Sequence, residues 1–215
     1  SGHGEMASHV AVGLRDLMRR NVNYIKQTRF VRAMNQQFAA FAEQGGFATA
    51  LVSTFFAPTK TFALCNAGHP PPLVFRRAAP EWSWMVNYAA DSKSCEDLTL
   101  GISGGESYRQ FQIRIEPGDM VLSFSDAVTD SEDAEGRQLG LAGILRLVRE
   151  LQATKPEELI SSLIDRITSL ASSNLKQDDA TLLLCQATGS GVSLKNNLLA
   201  PFRLFGQVAD RTKLD

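Results

Sequence analysis

The stretch Phe111-Gln112-Ile113-Arg114-Ile115-Glu116-Pro117-Gly118-Asp119-Met120-Val121-Leu122-Ser123-Phe124-Ser125-Asp126 decides how this chain is read. Its first five residues alternate strictly between apolar and polar, the mark of a half-buried strand. Glu116 to Asp119 is a tight turn, with proline and glycine where turns use them. Met120 to Ser125 is apolar nearly throughout, as in a central strand buried on both faces. The run closes on Asp126. A second acidic pair, Asp178-Asp179, stands immediately before another apolar run, Thr181-Leu182-Leu183-Leu184-Cys185. Carboxylates at the ends of buried strands are costly, because close, desolvated carboxylates repel and one takes up a proton unless a cation pairs with them. A divalent metal is the usual remedy, and Mg²⁺ or Mn²⁺ prefers oxygen ligands. Metal-assisted chemistry is therefore the first expectation.

Outward from this stretch, the pattern predicts helices over about 5–20 and 25–44. Met6, Val10, Leu14 and Leu17 form the apolar stripe of the first, and Val31, Met34, Phe38 and Phe41 that of the second, which Gly45-Gly46 ends. These stripes read as core packing. Phe47–Ala57 and Thr61–Asn66 read as a hairpin turning at Pro58-Thr59-Lys60. Ala67-Gly68-His69-Pro70-Pro71-Pro72 is a loop, since three prolines remove three backbone donors. Short strands follow at 73–77 and 82–88, then a polar surface excursion over 89–107. After Asp126 comes an acidic loop, then a helix over 138–151. Thr154-x-x-Glu157 with Pro156 reads as a capping box opening a helix striped by Leu159, Ile160, Leu163, Ile164, Ile167 and Leu170. The strand after Asp179 closes the domain. Gly189-Ser190-Gly191 is a linker, and Leu198, Leu199, Phe202 and Phe205 mark a short amphipathic element, read first as packing on the parent domain and second as a partner or dimer contact. Segregated helices and strands argue an α+β fold with helices layered on sheets. The expected organisation is one domain over 1–188 and a linker and tail over 189–215.

With 44% hydrophobic and 21% charged residues the chain is an ordinary globular protein. A net charge of −1 exerts no global pull on nucleic acid or anionic membrane. No apolar stretch reaches the ~20 residues that span a bilayer. The three cysteines, Cys65, Cys95 and Cys185, lack C-x-x-C spacing and suggest neither zinc nor disulfides. Cys65 and Cys185 read as buried small hydrophobes, and a reducing cytoplasm fits. Ser1-Gly2-His3-Gly4 reads as the middle of a loop, so the chain is expected to be a fragment of a longer protein.

Within 126–136, Glu132, Asp133 and Glu135 read as a solvated loop, while the strand positions Asp126. Asp178 and Asp179 admit a turn or cap reading as well as a ligand reading. His3, in its glycine-flanked loop, could approach a ligand closely. His3 and His69 both invite a zinc or general-base reading; His69, in its rigid proline-rich turn, reads first as structural, satisfying backbone groups, and His9 as lying on the exposed side of the first helix. There is no H-E-x-x-H, Walker loop or G-x-S-x-G. Without a nucleophile, covalent acyl transfer is not expected.

Four segments resemble a known family: Ser1-Gly2-His3-Gly4 before a helix; Asn66-Ala67-Gly68-His69-Pro70-Pro71; Gly118-Asp119 through Ser125-Asp126-Ala127-Val128-Thr129-Asp130; and Asp178-Asp179-Ala180-Thr181. Their order resembles the bacterial PP2C-like (PPM) metal-dependent serine/threonine phosphatases, in the branch that controls stress and sporulation sigma factors by partner switching. The resemblance implies a four-layer α-β-β-α sandwich of two antiparallel sheets flanked by helices, here without its N-terminal strands. It implies two Mn²⁺ or Mg²⁺ ions, with Asp126 and Asp178 as metal carboxylates and Asp179, Gly2, His3 and Gly4 in support. No side chain is implied as nucleophile; metal-activated water attacks the phosphoryl group. The implied substrate is phosphoserine or phosphothreonine on a regulatory partner protein, such as an anti-sigma-factor antagonist, with a sensor domain upstream. Two features depart from the family pattern. The aspartate that bridges both metals belongs just before Ser1, so the fragment is expected to bind metal weakly and turn over poorly. Ala127 stands where glycine is usual, and its methyl could restrict the backbone after Asp126. The competing readings are a non-catalytic phosphatase-like module that binds a partner, and a different metallohydrolase such as a nucleotide phosphatase.

Overall fold

The computed structural model describes residues 5–21, 26–42, 47–85, 99–101, 108–151 and 155–189. Its order is α1 (Glu5–Asn21), α2 (Gln27–Ala42), β1 (Ala50–Phe56), β2 (Thr61–Ala67), β3 (Leu73–Arg76), β4 (Glu81–Trp84), β5 (Gln110–Arg114), β6 (Met120–Phe124), α3 (Asp126–Thr129), α4 (Gly140–Leu151), α5 (Pro156–Leu170) and β7 (Leu182–Gln186). The α+β class is as expected: two antiparallel sheets, ordered β1-β2-β5 and β4-β3-β6-β7, each packed by a helix pair. The tight turn at 116–119 leads from β5 in one sheet to β6 in the other. Gly118, at φ +92, and the Asp119 N–H donating to the Glu116 carbonyl at 2.9 Å make that turn.

The chain divides into two compact units. The first comprises 1–68, 95–114 and 190–215, and the second 69–94 and 115–189. In the first unit, β1 and β2 form the expected hairpin, with Ala50 opposite Ala67 and Phe56 opposite Thr61. A 3₁₀ turn at Ala57–Thr59 and a left-handed Lys60 close it. The stripes predicted for α1 and α2 supply Leu17, Val31, Met34 and Phe38 to a core with Cys65 and Leu100. Side chains at 5–10 and 39–42, which include Met6, His9, Val10 and Phe41, lie outside the described residues, as does Gly45-Gly46. Buried Asn21, at the end of α1, donates to Gln37 Oε1 on α2 at 3.2 Å, a part-buried polar tie between the two helices.

In the second unit, β6 is central and buried, as its composition predicts. Leu73, Leu122 and Phe124 of the sheet pack with Ile144 of α4 and Leu159, Leu163 and Ile167 of α5. Fully burying such a side chain stabilises by about 1.5–3 kcal/mol.

Several expectations need correction. The segment after Asp126 opens with a helical turn, and α4 begins at Gly140. The N-cap of α5 is Lys155, without a side-chain cap bond, one residue beyond the predicted Thr154; Thr154 itself lies outside the described residues. Cys185 is exposed, because β7 is an edge strand with one face covered; Leu183 on that open face is 57% exposed. The predicted excursion at 89–107 is not wholly a surface one, since Leu100 is buried and bridges Ala48. The strand predicted over 82–88 is observed as Glu81–Trp84, and 86–88 lie outside the described residues together with the rest of that excursion, the 190–215 tail and Gly2, His3 and Gly4. Among the described residues no helix is long and apolar enough to cross a membrane.

Candidate metal centre

Strand direction brings the acidic segments together. β7 and β3 both run antiparallel to β6, with Phe124 opposite Leu182 and Leu122 opposite Leu73. The turn that leaves β6, the connector that enters β7 and the loop that enters β3 therefore share one end of the sheet. Asp126 belongs to the first, Asp178 and Asp179 to the second and His69 to the third.

Ser125 ties two of these segments. Its N–H donates to the Thr181 carbonyl at 2.9 Å. Its hydroxyl donates to the Asp179 carbonyl at 3.3 Å and accepts from the Thr181 N–H at 3.0 Å. With φ −72 and ψ 167, Ser125 is the extended N-cap of α3, and Asp126 is the first helical residue. The Asp130 N–H closes the turn on the Asp126 carbonyl at 2.8 Å. A carboxylate in a helical first turn is favourably placed, although so short a turn has only a small dipole.

The carboxylates are exposed, which corrects the expectation of acids desolvated at strand ends. Asp126 lies one residue past its strand, and Asp178 and Asp179 lie in a surface connector. The case for a cation thus rests on convergence and donor chemistry, not on burial. Asp126 Oδ1 accepts from the Ala127 N–H at 3.1 Å, and Asp178 Oδ1 from the Asp179 N–H at 2.8 Å. Among the described residues, the second oxygen of each and the whole Asp179 carboxylate take no further bond, which suits a hard cation. Those residues do not, however, assemble three candidate donors into one group.

His69 is half-buried, and burial pushes its imidazolium below the ordinary histidine range. The nearby Asp126 charge and the bond to the Phe124 carbonyl pull the other way. The bond to backbone fits the structural reading of His69, and the nearness to Asp126 fits the ligand or base reading. Its nearness to Asp126 was not foreseen, because the segment Asn66–Pro71 does not reveal the strand direction that brings it there. Ala127 restricts nothing. It lies in helical backbone, and Lys60 and Leu175 are the residues other than glycine with positive φ among those described.

Asn174, which belongs to none of the four segments, is a further buried polar residue here, 5% exposed. Its amide accepts from the Glu132 N–H at 2.9 Å and donates to the carbonyls of Glu132 at 2.9 Å and Ile167 at 3.0 Å.

Comparison with known proteins agrees with this architecture. The family described as Stage II sporulation protein E (SpoIIE) matches residues 1–188. The phosphoserine phosphatase RsbU of Bacillus subtilis (strain 168) is 25% identical over 160 residues, 74% of this chain and 45% of RsbU. The chain thus spans under half the length of that relative. The solved RsbU and RsbW domains of Rv1364c from Mycobacterium tuberculosis share the fold, with a TM-score of 0.66, 21% identity, and coverage of 96% of this chain and 58% of that one. The catalytic domain of the serine/threonine protein phosphatase PstP, solved in complex with two manganese ions, superposes with a TM-score of 0.55 at 14% identity, covering 84% and 81%. The chain belongs to the SpoIIE family, whose model matches it over nearly its whole described length.

Proposed function

We propose that this chain carries the catalytic centre of a metal-dependent protein serine/threonine phosphatase acting in the cytoplasm on phosphoserine or phosphothreonine of a regulatory partner. In this reading the domain spans 1–188, and a sensor domain precedes it in the full-length protein. The observation that carries the reading is the placement of Asp126 and Asp178 at one end of the β6–β7 pair, tied through Ser125, in a chain of this family. Asp126 and Asp178 hold Mn²⁺ or Mg²⁺, with Asp179 in support.

Phosphate-monoester hydrolysis needs accelerations of up to ~10²¹-fold. Divalent cations, when bound, would supply a more acidic water and positive charge for the phosphoryl oxygens. The chain's own residues fix and orient. Ser125 keeps the two acidic segments in register, and Asp126 is held at the start of a hydrogen-bonded turn. His69 stays on the Phe124 carbonyl beside it. No side chain has to attack phosphorus, in keeping with the lack of a nucleophile motif. The phosphoprotein partner is supported by the RsbU relative, and an anti-sigma-factor antagonist is the substrate class that fits this branch.

The test is manganese-dependent phosphate release from phosphoserine peptides and from a nucleotide panel, by the full-length protein and its Asp126→Asn variant. Loss of a ligand is expected to lower peptide turnover at least ~100-fold, the upper range for disturbing a ligand's support. Equal rates in the two proteins, or a preference for nucleotides, would overturn the proposal.

A further inference from the structure

Two pieces of chain carry the acids of the proposed centre, 125–132 and 174–181. They are pinned to each other at one end by Ser125, through the Asp179 carbonyl and the Thr181 backbone. At the other end the pin is Asn174, whose side chain bonds both the N–H and the carbonyl of Glu132 as a neighbouring strand would. Asp126 and Asp178 lie between the two pins.

The Asn174 amide also donates to the Ile167 carbonyl, one of the last four of α5 and so without a partner inside the helix. One buried side chain thus joins three segments: the end of α5, the loop beyond Asp126 and the connector leading to Asp178. Both of its donors and its acceptor oxygen are used. Leu175, directly after it, is held in the left-handed region at φ 60. The connector therefore turns toward Asp178 from a fixed point. The connector itself is exposed from Lys176 to Thr181, so apolar packing does little to hold Asp178 in place.

We propose that Asn174 is a positioning residue for the Asp126–Asp178 centre, closing a two-point clamp that sets how far apart the two carboxylates stand. This rests on the metal-centre reading above. Removing the amide leaves Ser125 as a single pivot, and the acids then pay an ordering cost each time they grip a cation.

The test is Mn²⁺ affinity, read by electron paramagnetic resonance titration of the full-length protein, with circular dichroism confirming the fold. Asn174→Ala is expected to weaken Mn²⁺ binding by ~10–100-fold. Leu159→Ala removes a fully buried core side chain of α5 that makes no bond to either acidic segment. It should lower stability but leave affinity unchanged. Should Asn174→Ala lose its native dichroism, Asn174→Asp keeps the shape and the acceptor while losing both donors, and a drop in affinity is again expected. Wild-type affinity in the folded Asn174 variant, or an equal drop in Leu159→Ala, refutes the clamp and leaves the metal centre standing. If the wild-type protein binds no Mn²⁺, or Asp126→Asn binds it equally well, the metal-centre reading fails and the clamp fails with it.

Discussion

Replacing Asp119 tests how β6 is anchored at the end away from the acidic segments. The Asp119 side chain is 4% exposed and accepts three hydrogen bonds: the Arg77 N–H at 2.9 Å, the Glu116 N–H at 3.0 Å and the Arg76 guanidinium at 2.9 Å. Asp119→Ala leaves two main-chain donors without that acceptor. Both donors belong to exposed residues and water can reach them, so the loss is expected to be about 1–3 kcal/mol and not the full cost of two buried orphans. Arg76 adds little, because its side chain is 35% exposed and can turn to water. Asp119→Asn keeps one acceptor oxygen but turns an NH₂ toward the remaining donors, at about 1–3 kcal/mol. Against a total stability of about 5–15 kcal/mol, either change is large.

The same contacts fix the sign of the pH dependence. Burial alone raises the Asp119 pKa, but the bonds from Arg77, Glu116 and Arg76 outweigh it and hold the carboxyl below its ordinary 3.8. A carboxylate depressed in the folded state stabilises above its unfolded pKa, and that contribution fades as pH falls through the folded value. The gap between wild type and Asp119→Asn should therefore be constant at neutral pH and narrow below about 3.8. Urea unfolding followed by tryptophan fluorescence reads this directly. Trp82 is buried beside Phe75, with ring centroids 5.4 Å apart, in the unit that contains Asp119. A loss under ~1 kcal/mol for Asp119→Ala, or a gap with Asp119→Asn that stays flat through the acid range, would refute the reasoning.

Two shorter predictions concern neighbouring positions. Ser125→Ala removes the hydroxyl acceptor of the Thr181 N–H, and since that site is exposed the stability loss should be only about 0.5–1.5 kcal/mol by chemical denaturation. Its effect on manganese-dependent turnover should exceed this small change; full activity in the variant contradicts the tie between the acidic segments. Gly118→Ala forces a side chain onto φ +92 and sets a Cβ 2.4 Å from Arg77 Cδ. Arg77 can swing aside, so the backbone strain of about 1–3 kcal/mol dominates, and a thermal melt indistinguishable from wild type would show that the turn relaxes.

Local signals carried much of the fold. The described part of the α1 and α2 stripes, the β1–β2 hairpin, the turn at 116–119 and the buried character of β6 all follow from apolar period and turn chemistry, and each is observed. What local signals lack is strand order. The run at 181–185 reads as a buried strand, yet β7 is an edge strand, because burial depends on what lies beside a strand and not on its own residues. The acids follow the same rule: composition places them against apolar strands, while the structure sets them just beyond, in solvent. Antiparallel pairing of β3 and β7 on β6 then performs what no motif states, gathering His69, Asp126 and Asp178 at one sheet end from distant parts of the chain. Asn174 carries the weakest sequence signal. An asparagine in a polar turn near a helix end is ordinary, and only Glu132, 42 residues away, gives it meaning. In the proposed centre the carboxylates would supply the charge, while the distance between them would be set by neutral side chains bonded to backbone. Changes that spare every carboxylate can therefore still loosen the grip on a cation, and such positions are found from coordinates and not from sequence pattern.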